Sequence, residues 1–168
     1  MDAKAEQNPM IRWPSHYDPA QAAVHVRNEL HIAAAPATVW AWLVRAPRWP
    51  QWYINARNVR ALRGSPDQLA PGSRFAWTTF GVRITSEVQE FVPEERLAWD
   101  AKSLGVDAYH AWLLTPDANG GCTVLTEETQ HGFVARGSAW LFPTRMQRFH
   151  QIWLESLRAR ALSGLPPA

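Results

Sequence analysis

Residues 23–53 read AVHVRNELHIAAAPATVWAWLVRAPRWPQWY, and a change of rhythm within them decides the fold. Up to Ile32, Val24, Val26, Leu30 and Ile32 fall on one face while His25, Arg27, Glu29 and His31 fall on the other, the alternation of a half-buried strand. His25 and His31 on the polar face read as solvated side chains rather than metal ligands. Pro36 then stands at a first helical position, where a missing N–H is no loss. Val39, Trp40, Leu43 and Val44 form one apolar helical face, and Trp42 falls off it beside Arg45. Pro50 opens a second short helix with Trp49, Trp52 and Tyr53 on one side. Four of the chain's ten tryptophans lie in this stretch. Trp adds a large rigid surface and an N–H that needs an acceptor, so a core corner, a cavity wall, a stacking platform and a docking face all fit.

Beyond this stretch the rhythm is two. RFAWTTF, VRITSEVQEF, LAWDA, VDAYHAWLL and CTVLTEETQ are short strands joined by Pro/Gly/Asp turns, an antiparallel meander. Aligned by the more apolar face, Phe75, Trp77 and Thr79 point inward, followed by Val82, Ile84, Ser86 and Val88, then Leu97 and Trp99. His110, Trp112 and Leu114 come next, then Cys122, Val124, Thr126, Glu128 and Gln130. The segment FPTRMQRFHQIWLESLRARAL (142–162) is helical, with Met146, Phe149, Trp153 and Leu157 in one stripe and His150 beside it; Gly164 and Pro166 end it. Strand, two short helices, meander and long helix make an α+β fold, a curved antiparallel sheet with a helix across its concave side. One helix rarely fills a wide curved sheet, so a cavity of roughly 300–1,000 Å³ is predicted between them. Phe75, Trp77, Trp99, Trp112, Phe149 and Trp153 should line it.

The 168 residues, 46% hydrophobic and 19% charged, suit one globular domain. Residues 1–22 form an N-terminal arm, 23–164 the domain and 165–168 a C-terminal tail. Net charge is +2 with scattered arginines, which argues against a nucleic-acid partner. The single Cys122 allows no intrachain disulfide and suits a reducing compartment. No apolar leader or membrane-length run occurs, so stable membrane insertion is not predicted and the location expected is cytoplasmic.

The stretches VRNELHIAAAPATVWAWLVRAPRWPQWY, PGSRFAWTTFGVRITSEVQEFVPEERLAWDA, YHAWLLTPDANGGCTVLTEET and HQIWLESL together resemble the START-like (SRPBCC) superfamily. The branch most similar is that of the polyketide cyclases/dehydrases and lipid-transport proteins. The markers are the Pro–x–x–Val–Trp helix start, the Trp–x–x–Trp pair, the Gly before RF, the Pro–x–x–Arg–Leu–x–Trp turn and strand, and the last helix. The resemblance covers Val24 to Leu162 and implies a helix-grip fold that holds a hydrophobic small molecule, in some members with cyclisation or dehydration of a polyketide. It supplies no common catalytic motif.

Chemistry is therefore read from the residues. The turn DANGG sets a register that pairs Leu114 with Val124, Trp112 with Thr126 and His110 with Glu128, whose Cβ atoms would lie roughly 4.5–5.5 Å apart. His110 and Glu128 are the candidate acid–base pair. Ile84, Thr126, Gln130 and His150 complete the candidate ligand-binding set with the cavity aromatics. No His–x–x–x–His, cysteine pair, Asp-rich loop or Gly-rich phosphate loop occurs, and three metal ligands would have to come from distant strands. Neither a metal nor a cofactor is predicted, and Cys122 reads as a small hydrophobe. The leading expectation is a binding protein, for transport or sequestration, of a hydrophobic aromatic or polycyclic molecule. The alternatives are a polyketide cyclase/dehydrase-type enzyme and an interaction module. For the last, Trp42 should be covered by Trp13 or Tyr17 of the same chain or of a second copy, a route to a homodimer.

Overall fold

The computed structural model describes residues 10–167. Seven antiparallel strands make one curved sheet in the order β1-β7-β6-β5-β4-β3-β2. They are β1 (Val24–Ile32), β2 (Arg57–Arg63), β3 (Arg74–Thr79), β4 (Val82–Val92), β5 (Arg96–Ser103), β6 (Val106–Pro116) and β7 (Cys122–His131). α1 (Pro36–Leu43) and a 3₁₀ helix (Ala46–Gln51) follow β1, and α2 (Phe133–Leu141) and α3 (Arg145–Leu162) follow β7. α3 packs across the inner face against β1 and α1, giving the helix-grip α+β architecture that the rhythm of the sequence predicts. The last hairpin has the register set by its turn, with Leu114 opposite Val124, Trp112 opposite Thr126 and His110 opposite Glu128.

Several elements depart from the expectation, each for a local reason. The second short helix begins at Ala46 and holds Pro50 inside it. With Pro47 and Pro50 both lacking an N–H, the segment closes by i→i+3 bonds such as Arg48 N to the Arg45 carbonyl. In α3 the buried side chains are His150, Trp153, Leu154, Leu157 and Ala161. Phe149 stands off that face and meets Phe80 edge-on at 5.3 Å. A bulge between Val88 and Glu90 reverses the parity of β4. Glu90 then points outward, 3.6 Å from Arg12, while Phe91 turns inward against Trp40.

The arm does not reach Trp42. Ile11, Trp13 and Tyr17 pack instead on Ala98, Tyr109 and Ala111, on the face of the sheet opposite α3. Tyr17 donates to Asp107 at 2.7 Å and stacks on Tyr109. Residues 1–9 of the predicted arm lie outside the described residues. Trp42 is nevertheless buried. Its Nε1–H donates to the Gly164 carbonyl at 2.8 Å, and the Arg160 guanidinium lies 5.8 Å from its ring. The chain just past α3, further held by Arg45 on the Pro167 carbonyl, supplies the cover expected from the arm. A Trp off its helix's main face is thus accounted for within one chain, by residues 122 positions away.

Candidate functional site

The inner positions of β5 and β6 step in size along the strands. Trp99, Trp112 and Leu97 fill one end of the space under α3, whereas Ala101 and Ala108 leave room at the other. Trp49 and Trp153 complete the packed end, with ring centroids 5.1 Å apart. The room that remains is a cavity of about 110 Å³, smaller than predicted because four indoles and Phe75 occupy the volume assigned to it. Its mouth lies between the β3–β4 turn, at Thr79 and Phe80, and the α2–α3 junction, at Ser138, Phe142 and Pro143.

Of the predicted ligand-binding residues, Trp77, Ile84, Trp99, Gln130, His150 and Trp153 reach the cavity wall. The other four do not. Phe75 and Trp112 are behind the wall in the packed core, Thr126 is fully buried with its hydroxyl on His110, and Phe149 is turned to Phe80. Wall residues not anticipated include Tyr53, Ala101, Ala108 and the α2 residues Val134, Ala135, Ser138 and Ala139. The two alanines were legible, since the parity that places Trp99 and His110 inward also places Ala101 and Ala108 inward as small neighbours. α2 was not, because its apolar residues point both into the cavity and out to solvent and leave no single stripe. Phe133, Trp140 and Leu141 are among its exposed side chains.

His110 and Glu128 both face the cavity from adjacent strands, with His110 Nδ1 at 3.2 Å from Glu128 Oε2. From across the cavity α3 brings His150, whose Nε2 lies 3.1 Å from the same oxygen. All three side chains are buried. His110 is stacked between Trp112 and His150, with centroids at 5.2 and 4.8 Å. Its Nε2 meets the Thr126 hydroxyl at 2.7 Å, and Gln130 Nε2–H donates to Glu128 Oε1. Burial pushes the His110 imidazole down to about 3, against the pull of Glu128 and helped by the neighbouring His150. Burial alone would raise the Glu128 carboxyl. The His150 hydrogen bond, the two imidazoles and Gln130 outweigh it and hold the group low, at about 2. An ionised carboxylate therefore stands at the centre of the patch.

Chemically this is an apolar pocket with one polar patch on its floor. The patch can orient a carbonyl or hydroxyl, move a proton to or from it, or hold a cation.

A family model described as polyketide cyclase/dehydrase and lipid transport matches residues 23–162. No curated protein matches the sequence. Among solved structures, hypothetical protein jhp0584 from Helicobacter pylori is 31% identical, with a TM-score of 0.85 over 91% of this chain and 96% of that one. TTHA0849 from Thermus thermophilus is 17% identical with a TM-score of 0.67, over 83% of this chain and 98% of its own. The di-domain ARO/CYC StfQ from the steffimycin biosynthetic pathway shares the fold at 16% identity and a TM-score of 0.66, over 83% of this chain and 51% of that one. No helix among the described residues is long and apolar enough to cross a membrane.

Proposed function

The chain belongs to the polyketide cyclase/dehydrase and lipid-transport family, and from that premise we propose that it binds a small hydrophobic molecule in the cavity under α2 and α3. The molecule's polar end lies on Glu128, His110 and His150. The observation that carries this reading is the contrast between apolar walls and a single buried polar patch facing them, the usual make-up of a site that fixes the orientation of an apolar ligand. A cavity of about 110 Å³ suits a molecule the size of one ring, or one end of a longer one whose remainder lies in the mouth. The work is transport or sequestration in the cytoplasm, a setting consistent with the lone buried thiol of Cys122.

Titration with a flat aromatic dye such as 1-anilinonaphthalene-8-sulfonate tests it. Tryptophan emission should be quenched saturably at one site per chain. Ser138 stands at the mouth and is exposed, so Ser138→Trp should weaken the dye by ~10-fold or more, about 1.4 kcal/mol, with an unchanged melting temperature. Unsaturable quenching that ignores this substitution would falsify the reading.

The His–Glu–His arrangement favours a second reading, proton transfer of the cyclase/dehydrase type. A bound β-hydroxy ketone would give its α-proton to Glu128, a proton delivered through His150 would leave with the hydroxyl as water, a carbon–carbon double bond would form, and Glu128 would return its proton to His150 across 3.1 Å. Under this reading Glu128→Gln lowers turnover of such a substrate ~10²–10⁴-fold while dye affinity changes little.

A further inference from the structure

Three donor atoms converge on the cavity floor, two through the β6–β7 register that the turn sets and the third from α3. They come from β6, β7 and α3, and each of the three residues has a donor atom within 4.8 Å of the other two. Glu128 Oε2 lies 3.2 Å from His110 Nδ1 and 3.1 Å from His150 Nε2. Around a tetrahedral ion with bonds of about 2.0–2.1 Å, ligand atoms stand roughly 3.4 Å apart. We propose that His110, Glu128 and His150 hold a divalent transition-metal ion of the zinc class, with its remaining coordination position open to the cavity.

The choice of ion follows from the donors. Two imidazoles and one carboxylate suit borderline metals and not the oxygen-seeking magnesium or calcium. Three protein ligands with a fourth direction open are the arrangement of a zinc site that does chemistry, whereas a structural zinc is closed by four.

Two of the three ligands are held in place from behind. The Thr126 hydroxyl occupies His110 Nε2 at 2.7 Å, which leaves Nδ1 as the free donor atom on the side facing Glu128. Gln130 occupies Glu128 Oε1, which leaves Oε2, the oxygen both imidazoles approach. Such outer partners fix ring orientation and donor atom in metal sites. The stacking of His110 between Trp112 and His150 further limits its rotation.

Charge points the same way. Glu128 is buried, and among the described residues its ion-pair partners are these two imidazoles, neither bringing the fixed charge of Arg or Lys. A carboxylate buried among apolar walls without a full positive partner is costly, and a dication supplies that partner. Bound there, the ion would polarise a ligand oxygen or activate a water.

That a ligand oxygen meets the ion rests on the binding reading above; that the ion binds does not.

The full chain, stripped with chelator, is dialysed against Co(II) and separately against Zn(II). One equivalent per chain is expected, with the intense visible bands of four- or five-coordinate cobalt. Glu128→Gln and His150→Gln should each weaken binding ~100-fold or more, and Thr126→Val, which leaves all three donors in place, by ~10–100-fold. Because a core substitution can unfold the chain, each variant is checked by far-ultraviolet circular dichroism, and Thr126→Val is the variant that keeps the test alive. Binding well below one equivalent, pale six-coordinate spectra, or full affinity retained in Glu128→Gln overturns the proposal. Dye quenching in the metal-free protein keeps the two readings apart. Dye binding without metal binding removes the ion and leaves the pocket, whereas metal binding without dye binding does the reverse.

Discussion

At Trp49 a single indole meets Phe75, Trp77, Trp99 and Trp153 at centroid separations of 5.8, 5.4, 5.4 and 5.1 Å. Its Nε1–H donates to the Leu43 carbonyl at 2.9 Å. That carbonyl ends α1 and would ordinarily accept from the residue four positions on, which is Pro47 and has no N–H. The indole therefore does two things a leucine cannot, filling the packed end of the space under α3 and closing a helix terminus. Trp49→Ala should cost about 3–5 kcal/mol. Trp49→Phe keeps much of the bulk but leaves the carbonyl bare, a loss of about 1–3 kcal/mol. Urea denaturation of the two variants beside the parent chain checks both the size and the order. The opposition of His110 and Glu128 was legible at this scale, because a five-residue turn fixes which residues face each other. The arrival of His150 on the same carboxylate oxygen was not, since it depends on how α3 rotates over the sheet, and of the predicted stripe Trp153 and Leu157 are buried and Met146 lines the cavity while Phe149 turns to Phe80.

The elements that sequence rhythm describes well are those with one buried face. β1 and most of β4 alternate as they must, but β5, β6 and the second half of β7 are covered on both sides. Ala98, Tyr109 and Ala111 are buried on the outer face by an arm whose prolines hide any period. That docking turns on Asp107, which accepts from Tyr17 and is paired with His16 at 2.9 Å. Burial would raise the Asp107 carboxyl, but the Tyr17 and His16 hydrogen bonds outweigh it and hold it below the usual carboxylate range. A carboxyl lowered on folding stabilises the docked arm above its unfolded value and stops doing so as pH falls through its folded one. The arm should therefore be fully docked at neutral pH and loosen in acid below the ordinary aspartate range. Asp107→Asn should loosen it at neutral pH, seen as faster proteolysis of the residues before Val24. α2 invites a different substitution. A Cβ at Gly137 meets nothing within 4 Å, and glycine inside a helix costs about 0.5–1 kcal/mol relative to alanine. Gly137→Ala should raise stability by that amount in urea denaturation.

Across the whole molecule the sheet is closed by partners far apart in the chain, since β1 pairs along its length with β7, from Val24 opposite Gln130 to Ile32 opposite Cys122. Neighbours in the rest of the sheet are consecutive in sequence, so β3 to β7 assemble through short turns and β1 joins across a long loop whose closure entropy opposes it. Val26→Ala in β1 should therefore speed unfolding and leave the refolding rate nearly unchanged, the two arms of a urea chevron separating the effects. The same pairing sets a schedule for biosynthesis. β1 leaves the ribosome with an apolar face and two bare edges well before its neighbour β7 is translated. At ~5–20 residues per second the wait is on the order of 5–20 s. For that interval the nascent chain offers a ribosome-associated holdase an unpaired strand, and a stalled or truncated message that stops before β7 yields a product with no way to hide it.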